Sequence, residues 1–263
     1  MGGQEPQFIQ VGKGDRERRI AVEKTDGNAP AILWLSGFKS DMTGTKAEAV
    51  ADFGRRTGRS VVRFDYSGHG RSGGRFEEAC VSDWLEEAEA VFDRFCGKGA
   101  LLVGSSMGGW IALLLALSRT STARIRGLVL IAPAVDFTEE LMWKQRFSDD
   151  IRSAILKEGY WAQPSDYSDD PYVITRKLIE DGRTHLLFGR DLHFGAPITI
   201  LQGVKDPDVP ASHAQRLVEA LPRDDVTYSL VPDGDHRLSR PQDIALLLRA
   251  IGSALPDPAQ SDG

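Results

Sequence analysis

The chain has 263 residues, of which 41% are hydrophobic and 27% charged, and its formal net charge is −6. This length suffices for one large α/β domain with a sizeable core, and the composition is ordinary for a soluble globular protein. The negative charge and the lack of a long basic block argue against binding to nucleic acid or to anionic membranes.

Strand and helix patterns alternate through the first half of the chain. Residues 18–22 alternate between polar and apolar side chains, which predicts an antiparallel edge strand. Buried strands are predicted at residues 29–36, 60–66, 100–103 and 127–135. Three helices are predicted: one at residues 43–58, one that begins after Ser82 as its N-cap, and one at residues 110–117. Strands that alternate with amphipathic helices predict a mostly parallel, doubly wound sheet with helices on both faces.

Residues 136–195 interrupt this alternation, because they contain helical patterns but no clear strand. We predict a helical lid or cap insertion within a single domain. Its aromatic residues either line a pocket for an apolar acyl chain or form a small core of the insertion itself: Trp143, Phe147, Tyr160, Trp161, Tyr167, Tyr172 and Phe188. Beyond it we predict a strand at residues 197–202, a helix at 212–221, a strand at 226–231, a helix at 241–251 and a polar tail at 255–263.

The segment Gly104-Ser105-Ser106-Met107-Gly108 stands between a predicted buried strand and a predicted helix. A Gly-x-Ser-x-Gly motif in this position is typical of a nucleophile elbow. Its glycines allow close backbone approach, and the helix dipole favours the negative charge that develops near the serine. We therefore predict Ser106 as the nucleophile, with Ser105 less favoured. The alternative is a glycine-rich turn that only packs the helix against the sheet.

A serine nucleophile needs a histidine base, and five histidines compete for this role. In doubly wound hydrolases the order along the chain is serine, acid, histidine, each on a loop after a strand. His236 directly follows the last predicted strand, so we predict it as the base. His69 is predicted as a loop residue, and His185, His193 and His213 as surface or lid residues.

The acid is predicted from the loop after the strand at residues 197–202. Asp206 is the first carboxylate beyond that strand, Asp208 is its near rival, and Asp136 after the preceding strand is a further alternative. Two backbone N–H groups must stabilise the oxyanion, and we predict those of Phe38 and Met107.

Neither metal-ligand spacing nor a phosphate-binding glycine loop is present, so we predict no metal and no cofactor.

Several further motifs occur together in this chain: Ser36-Gly37-Phe38, Asp65-x-x-Gly68-x-Gly70-x-Ser72, Asp206-x-x-Val209-Pro210 and Asp235-His236. With the elbow motif, they make the chain resemble the α/β-hydrolase superfamily over almost its whole length. A second set of segments consists of residues 37–47, 63–68 and 103–110, Tyr160-Trp161-x-x-Pro164-Ser165-x-Tyr167-Ser168 and Asp235-His236-Arg237. On these the chain is similar to the family of the mitochondrial acyl-glucuronide esterase that is also a palmitoyl-protein thioesterase.

The resemblance implies an α/β-hydrolase fold, a triad of Ser106, Asp206 and His236, and oxyanion donors at Phe38 and Met107. It also implies hydrolysis of a small-molecule ester or acyl-thioester. The alternatives are acyl transfer or peptide hydrolysis on the same triad, or a non-catalytic ligand-binding protein.

The location of the protein is predicted from what the sequence lacks. There is no Arg- and Ser-rich transit peptide, no signal peptide and no apolar run of membrane-spanning length. Cys80 and Cys96, the only cysteines, are expected to be free thiols in a reducing compartment. We therefore expect a cytoplasmic protein, and the sequence leaves its oligomeric state open.

Overall fold

Ten strands are found in the computed structural model, which describes residues 5–119, 124–163 and 172–255. They are β1 (Gln7–Val11), β2 (Arg18–Thr25), β3 (Asn28–Leu35), β4 (Arg59–Phe64), β5 (Ala100–Ser105), β6 (Ile125–Ile131), β7 (Tyr160–Gln163), β8 (Tyr172–Thr175), β9 (Ile198–Gly203) and β10 (Val226–Val231). Eight of them form one sheet in the order β1-β2-β4-β3-β5-β6-β9-β10. The six strands from β4 to β10 in this order are parallel, as predicted, so their carboxyl ends share one edge of the sheet.

The prediction that residues 18–22 form the edge of the sheet is wrong. β2 lies inside the sheet, antiparallel to β1 on one side and to β4 on the other. The edge is β1, whose five residues bury only Ile9 and Val11. Two buried positions in a five-residue strand give too short an alternation to predict a strand from the sequence.

The described part of the chain contains seven α-helices. They are α1 (Thr45–Thr57), α2 (Val81–Phe95), α3 (Met107–Ser118), α4 (Asp149–Glu158), α5 (Arg176–Gly182), α6 (Ala211–Glu219) and α7 (Pro241–Ala254). The sequence predicts Ser82 as the cap of α2, but Cys80 occupies the N-cap position. The Ser82 N–H and hydroxyl instead donate hydrogen bonds to the Asp181 carboxylate at 2.8 and 2.7 Å. A distant aspartate thus satisfies an N–H group of the first turn, which no local sequence pattern predicts.

Each face of the sheet packs against its own set of helices because side chains alternate between the faces of a strand. Leu33, Leu102 and Leu130 face the larger core, which includes residues of α2, α3 and α6. Trp34 and Val103 face the smaller core with α1 and α7. The sheet is therefore covered on both faces, as the alternation of strands and helices predicts.

Residues 136–195 contain a π-helix (Thr138–Arg146), α4, the antiparallel pair β7–β8 and α5. The expectation of no strand here is therefore wrong, because two four-residue strands are too short to give a clear pattern. The ring of Phe147 contacts those of Trp143 and Trp161 edge to face, with centroids 6.4 and 5.5 Å apart. Phe147 belongs to the larger core, and Trp143 and Trp161 pack against that core, so these three rings are core residues but do not form a separate core of the insertion.

Several predictions concern residues outside the described ones. They are Pro164, Ser165, Tyr167 and Ser168 of the insertion and the tail beyond residue 255, and the side chain of Tyr172 also lies outside the description. Among the described helices, none combines the length and the apolar character needed to cross a bilayer.

Candidate active site

Ser106 joins β5 to α3 in a strained backbone conformation, with φ 55° and ψ −118°. A positive φ is uncommon for a residue with a Cβ atom and is typical of a sharp nucleophile turn. The turn requires glycine on both sides. A Cβ atom on Gly104 would lie 2.3 Å from the Gly108 carbonyl oxygen, and one on Gly108 would lie 2.0 Å from that of Leu35. The close packing of helix and strand therefore accounts for both glycines of the motif.

The structure brings together Ser106, His236 and Asp206, the three residues predicted to form the triad. His236 Nε2 lies 3.0 Å from Ser106 Oγ, and His236 Nδ1 lies 2.8 Å from Asp206 Oδ2. Because an ionised carboxylate only accepts hydrogen bonds, Nδ1 carries the ring proton and Nε2 is left with a lone pair. The Ser106 hydroxyl can then donate to Nε2, which is the arrangement that a base needs in order to remove this proton.

Backbone and side-chain donors hold the Asp206 carboxylate, which is fully buried. Its Oδ1 accepts hydrogen bonds from the N–H groups of Asp208 and Val209, both at 2.8 Å. Its Oδ2 accepts a further bond from Gln202 Nε2 at 3.2 Å, in addition to the one from His236. Sequence reasoning missed Gln202, although its position near the end of a buried strand is unusual for a polar side chain.

Asp206, Asp208 and His236 are also the one group in the described residues whose donor atoms lie close enough to hold a metal ion, within 4.8 Å. Two of the three side chains already bond to each other, and Asp208 forms an ion pair with Arg146 at 3.0 Å. The donor set therefore fits a hydrogen-bonded acid and base better than a metal site.

The alternative acids and serine lie in other surroundings. Asp136 is buried and accepts hydrogen bonds from the N–H groups of Leu187 and Phe188, and burial raises its pKa to about 6. Asp136 thus ties the first residue of the insertion to residues 187 and 188 within it. The side chain of Asp208 is half exposed, and Ser105 is buried next to a cavity on the α1 side of the sheet.

The other four histidines are also held away from Ser106 by their own contacts. The sequence predicts His213 at the surface or in the lid, but it is buried and its Nε2 lies 2.8 Å from the Val135 carbonyl oxygen. It lies on the buried face of α6, which the sequence did not distinguish from the exposed face. His185 contacts Ser82 at 2.7 Å, His193 contacts Asp224 at 3.1 Å, and His69 is a buried loop residue.

The loop after β3, which carries Phe38, lies directly against the elbow. A Cβ atom on Gly37 would be 3.3 Å from the Ser105 carbonyl oxygen and 3.4 Å from Ser106 Cβ. Met107 is the first residue of α3, where backbone N–H groups have no partner within the helix. The two predicted oxyanion donors therefore belong to two backbone segments that both lie next to Ser106.

A cavity of about 420 Å³ opens beside this loop, on the α1 side. Apart from Trp34 and Ala47 its lining residues are polar or glycine, and among the described residues none comes from the insertion. Lys46 lines it and donates hydrogen bonds to the Arg237 carbonyl oxygen and to Ser239 Oγ. Burial and the nearby Arg237 lower the pKa of Lys46 to about 8. This cavity, which Ser105 of the elbow also lines, is thus polar and differs from an acyl pocket formed by the aromatic residues of the insertion.

Comparison with known proteins identifies relatives over nearly the whole chain. A family model described as "Alpha/beta hydrolase family" matches residues 32–245. The human mitochondrial palmitoyl-protein thioesterase ABHD10 is 32% identical over 234 residues, which cover 88% of this chain and 75% of that protein.

Two solved structures are similar over nearly their full length. A presumed hydrolase from Agrobacterium vitis S4 is 47% identical, with a TM-score of 0.92 over 96% of this chain and 99% of that chain. Alpha/beta hydrolase domain-containing protein 10 from mouse is 28% identical, with a TM-score of 0.83 over 94% of this chain and 97% of that chain.

Proposed function

Because this chain belongs to the alpha/beta hydrolase family, we propose that it is a serine hydrolase that cleaves carboxylic esters or thioesters through an acyl-enzyme. The observation that carries the proposal is the continuous hydrogen-bond chain from Asp206 through His236 to Ser106. The thioesterase name of the human relative supports an acyl substrate. The same evidence makes a small-molecule acyl compound the expected partner.

In the proposed mechanism, His236 Nε2 takes the proton of the Ser106 hydroxyl while Oγ attacks the acyl carbon. The carbonyl oxygen becomes an oxyanion, which the N–H groups of Phe38 and Met107 stabilise. The imidazolium then protonates the leaving alcohol or thiol, and an acyl-Ser106 intermediate remains. Water attacks this ester with His236 again as base, which releases the carboxylic acid and restores the Ser106 hydroxyl.

Hydrolysis of p-nitrophenyl esters and of matched thioesters with graded acyl lengths tests this proposal. We expect Ser106→Ala to lose turnover by several orders of magnitude while remaining folded. Ser105→Ala is the matched control, since Ser105 is adjacent in the chain but outside the hydrogen-bond chain, and it should keep most of the activity. Wild-type turnover that survives in Ser106→Ala would refute the proposed mechanism.

Covalent labelling with a fluorophosphonate probe gives an independent readout. We expect mass spectrometry to find the adduct on Ser106 and no adduct in Ser106→Ala. The acyl series then assigns the substrate class. A maximum at long chains supports a lipid-like thioesterase, and a maximum at acetate or butyrate supports a hydrolase of small esters. If the protein shows neither labelling nor turnover, the non-catalytic alternative is correct.

A further inference from the structure

The loop that carries Phe38 contains a strained turn. The Ser40 N–H donates a hydrogen bond to the Gly37 carbonyl oxygen at 3.1 Å, which closes a four-residue turn. Its third residue, Lys39, has φ 58°. A positive φ at the third position is typical of a type II turn and favours glycine, so a lysine there needs support from its surroundings.

His69 provides that support through a hydrogen bond. The Lys39 N–H donates to His69 Nε2 at 3.1 Å, across 30 residues of sequence. At the other side of the ring, His69 Nδ1 lies 3.0 Å from the Ser67 carbonyl oxygen. Because a carbonyl oxygen only accepts, Nδ1 carries the proton and Nε2 is the acceptor that the Lys39 N–H requires.

The imidazole is fixed in place by aromatic packing. His69 is only 5% exposed and contacts the rings of Tyr66, Phe76 and Trp84 at centroid distances of 6.0, 5.3 and 5.6 Å. Phe38 packs on the same cluster, with its ring 5.0 Å from that of Phe76. Burial also lowers the pKa of His69 to about 4, so the ring stays neutral near pH 7. The acceptor at Nε2 is therefore held at a fixed place and in a fixed protonation state.

From this geometry we infer that His69 is a positioning residue, which sets the direction of the proposed oxyanion donor, the Phe38 N–H, by fixing the next peptide along the chain. The inference rests on the proposed serine hydrolase function. Without the bond to His69, the turn is free to relax the positive φ of Lys39 by rotating the peptide that joins Phe38 to Lys39. This rotation changes ψ at Phe38 and loosens the turn closed by the Ser40 N–H and the Gly37 carbonyl oxygen. The preceding peptide, which carries the Phe38 N–H, is then no longer held in one orientation toward the oxyanion position beside Ser106.

Two isosteric variants separate this role from simple packing. In His69→Gln the side-chain amide oxygen reaches the position of Nε2 and can still accept from the Lys39 N–H. In His69→Asn the amide reaches only the position of Nδ1, so the Lys39 N–H loses its acceptor. Removing one oxyanion donor outright costs about 10²- to 10³-fold in kcat. Since the Phe38 N–H is misdirected and not removed, we expect kcat of His69→Asn to fall by about 10- to 100-fold, with KM within about threefold of wild type. We expect kcat of His69→Gln to stay within about fivefold of wild type.

Binding of an alkyl boronic acid, which forms a tetrahedral adduct with the serine, gives the readout that a packing role would not affect. We expect the dissociation constant of the boronate to rise in His69→Asn by the same factor as kcat/KM falls, and to stay near the wild-type value in His69→Gln. If both variants match wild type, or if both lose activity equally, His69 does not position the donor. If the wild-type protein shows no Ser106-dependent turnover, the proposed function fails first, and this role fails with it.

Discussion

Replacement of the Asp206 carboxylate by an amide tests the hydrogen-bond chain most directly. The N–H groups of Asp208 and Val209 both donate to Oδ1. Asp206→Asn keeps these two bonds only if its amide oxygen takes the place of Oδ1, which turns the NH2 group toward His236. That amide group donates, so His236 Nδ1 must accept and the ring proton moves to Nε2. A ring protonated at Nε2 cannot remove the proton of the Ser106 hydroxyl.

The size of the effect follows from the wrong tautomer. In a serine protease triad the same exchange lowers kcat by about 10⁴-fold, which corresponds to about 5.5 kcal/mol of activation free energy. We expect a loss of this order in Asp206→Asn. A second cost falls on stability, because the new NH2 group also faces Gln202 Nε2, the donor that now bonds to Oδ2 at 3.2 Å. One buried hydrogen bond exchanged for two opposed donors should lower the free energy of unfolding by about 1–3 kcal/mol.

Steady-state kinetics on the best ester of the acyl series measures this loss, and Asp208→Asn is the matched control. Asp208 lies two residues further along the same loop, but its half-exposed carboxylate forms an ion pair with Arg146 at the surface. An exposed ion pair contributes at most about 1 kcal/mol, so this control should keep kcat within about threefold. A large loss in Asp208→Asn with activity retained in Asp206→Asn would make Asp208 the acid and refute the reasoning.

Three further predictions concern folding. In Gly108→Ala the new Cβ would overlap the Leu35 carbonyl oxygen, so the free energy of unfolding measured in urea should fall by at least about 3 kcal/mol. Gly97→Ala is the control, because a Cβ there has no neighbour within 4 Å, and it should change this free energy by less than about 0.5 kcal/mol. Phe147→Ala should cost about 3–5 kcal/mol and lower Tm, since the ring is 4% exposed. Burial raises the folded-state pKa of Asp136 from 3.8 to about 6, so the folded state binds more protons between these values. Wild-type stability should therefore lose up to about 3 kcal/mol as pH rises through that window, and Asp136→Asn should lack this loss in urea titrations at several pH values.

The sequence predicts which three loops carry the candidate site, because each loop follows a strand of the parallel sheet. Ser106 follows β5, Asp206 follows β9 and His236 follows β10, and the carboxyl ends of these parallel strands meet at one edge. Apolar runs indicate such strands from sequence alone, so the sequence suffices to place three distant side chains together. The elbow glycines are predictable for a similar reason, since the motif needs close backbone approach.

The remaining features depend on contacts that no local pattern encodes. Gln202 orients the acid through its position on the buried side of β9, and Asp181 reaches α2 from the insertion, 99 residues away in sequence. His213 is buried because α6 turns that face toward the sheet. The β7–β8 pair escaped prediction because each strand has four residues. In each case tertiary packing, and not the local sequence pattern, decides whether the residue is buried and which partner it contacts.

The motif Asp65-x-x-Gly68-x-Gly70-x-Ser72 holds together two loops near the candidate site. Asp65 Oδ1 accepts from the Met42 N–H and its Oδ2 from the Arg71 N–H, both at 2.7 Å, while its carbonyl oxygen accepts from the Ser72 hydroxyl at 2.6 Å. A Cβ atom on Gly70 would lie 2.2 Å from Oδ2, so the carboxylate fits only against glycine. Because Met42 belongs to the loop after β3, this carboxylate ties that loop to the one that follows β4. The pattern therefore fixes the distance between the loop after β3, which also carries Phe38, and the loop after β4.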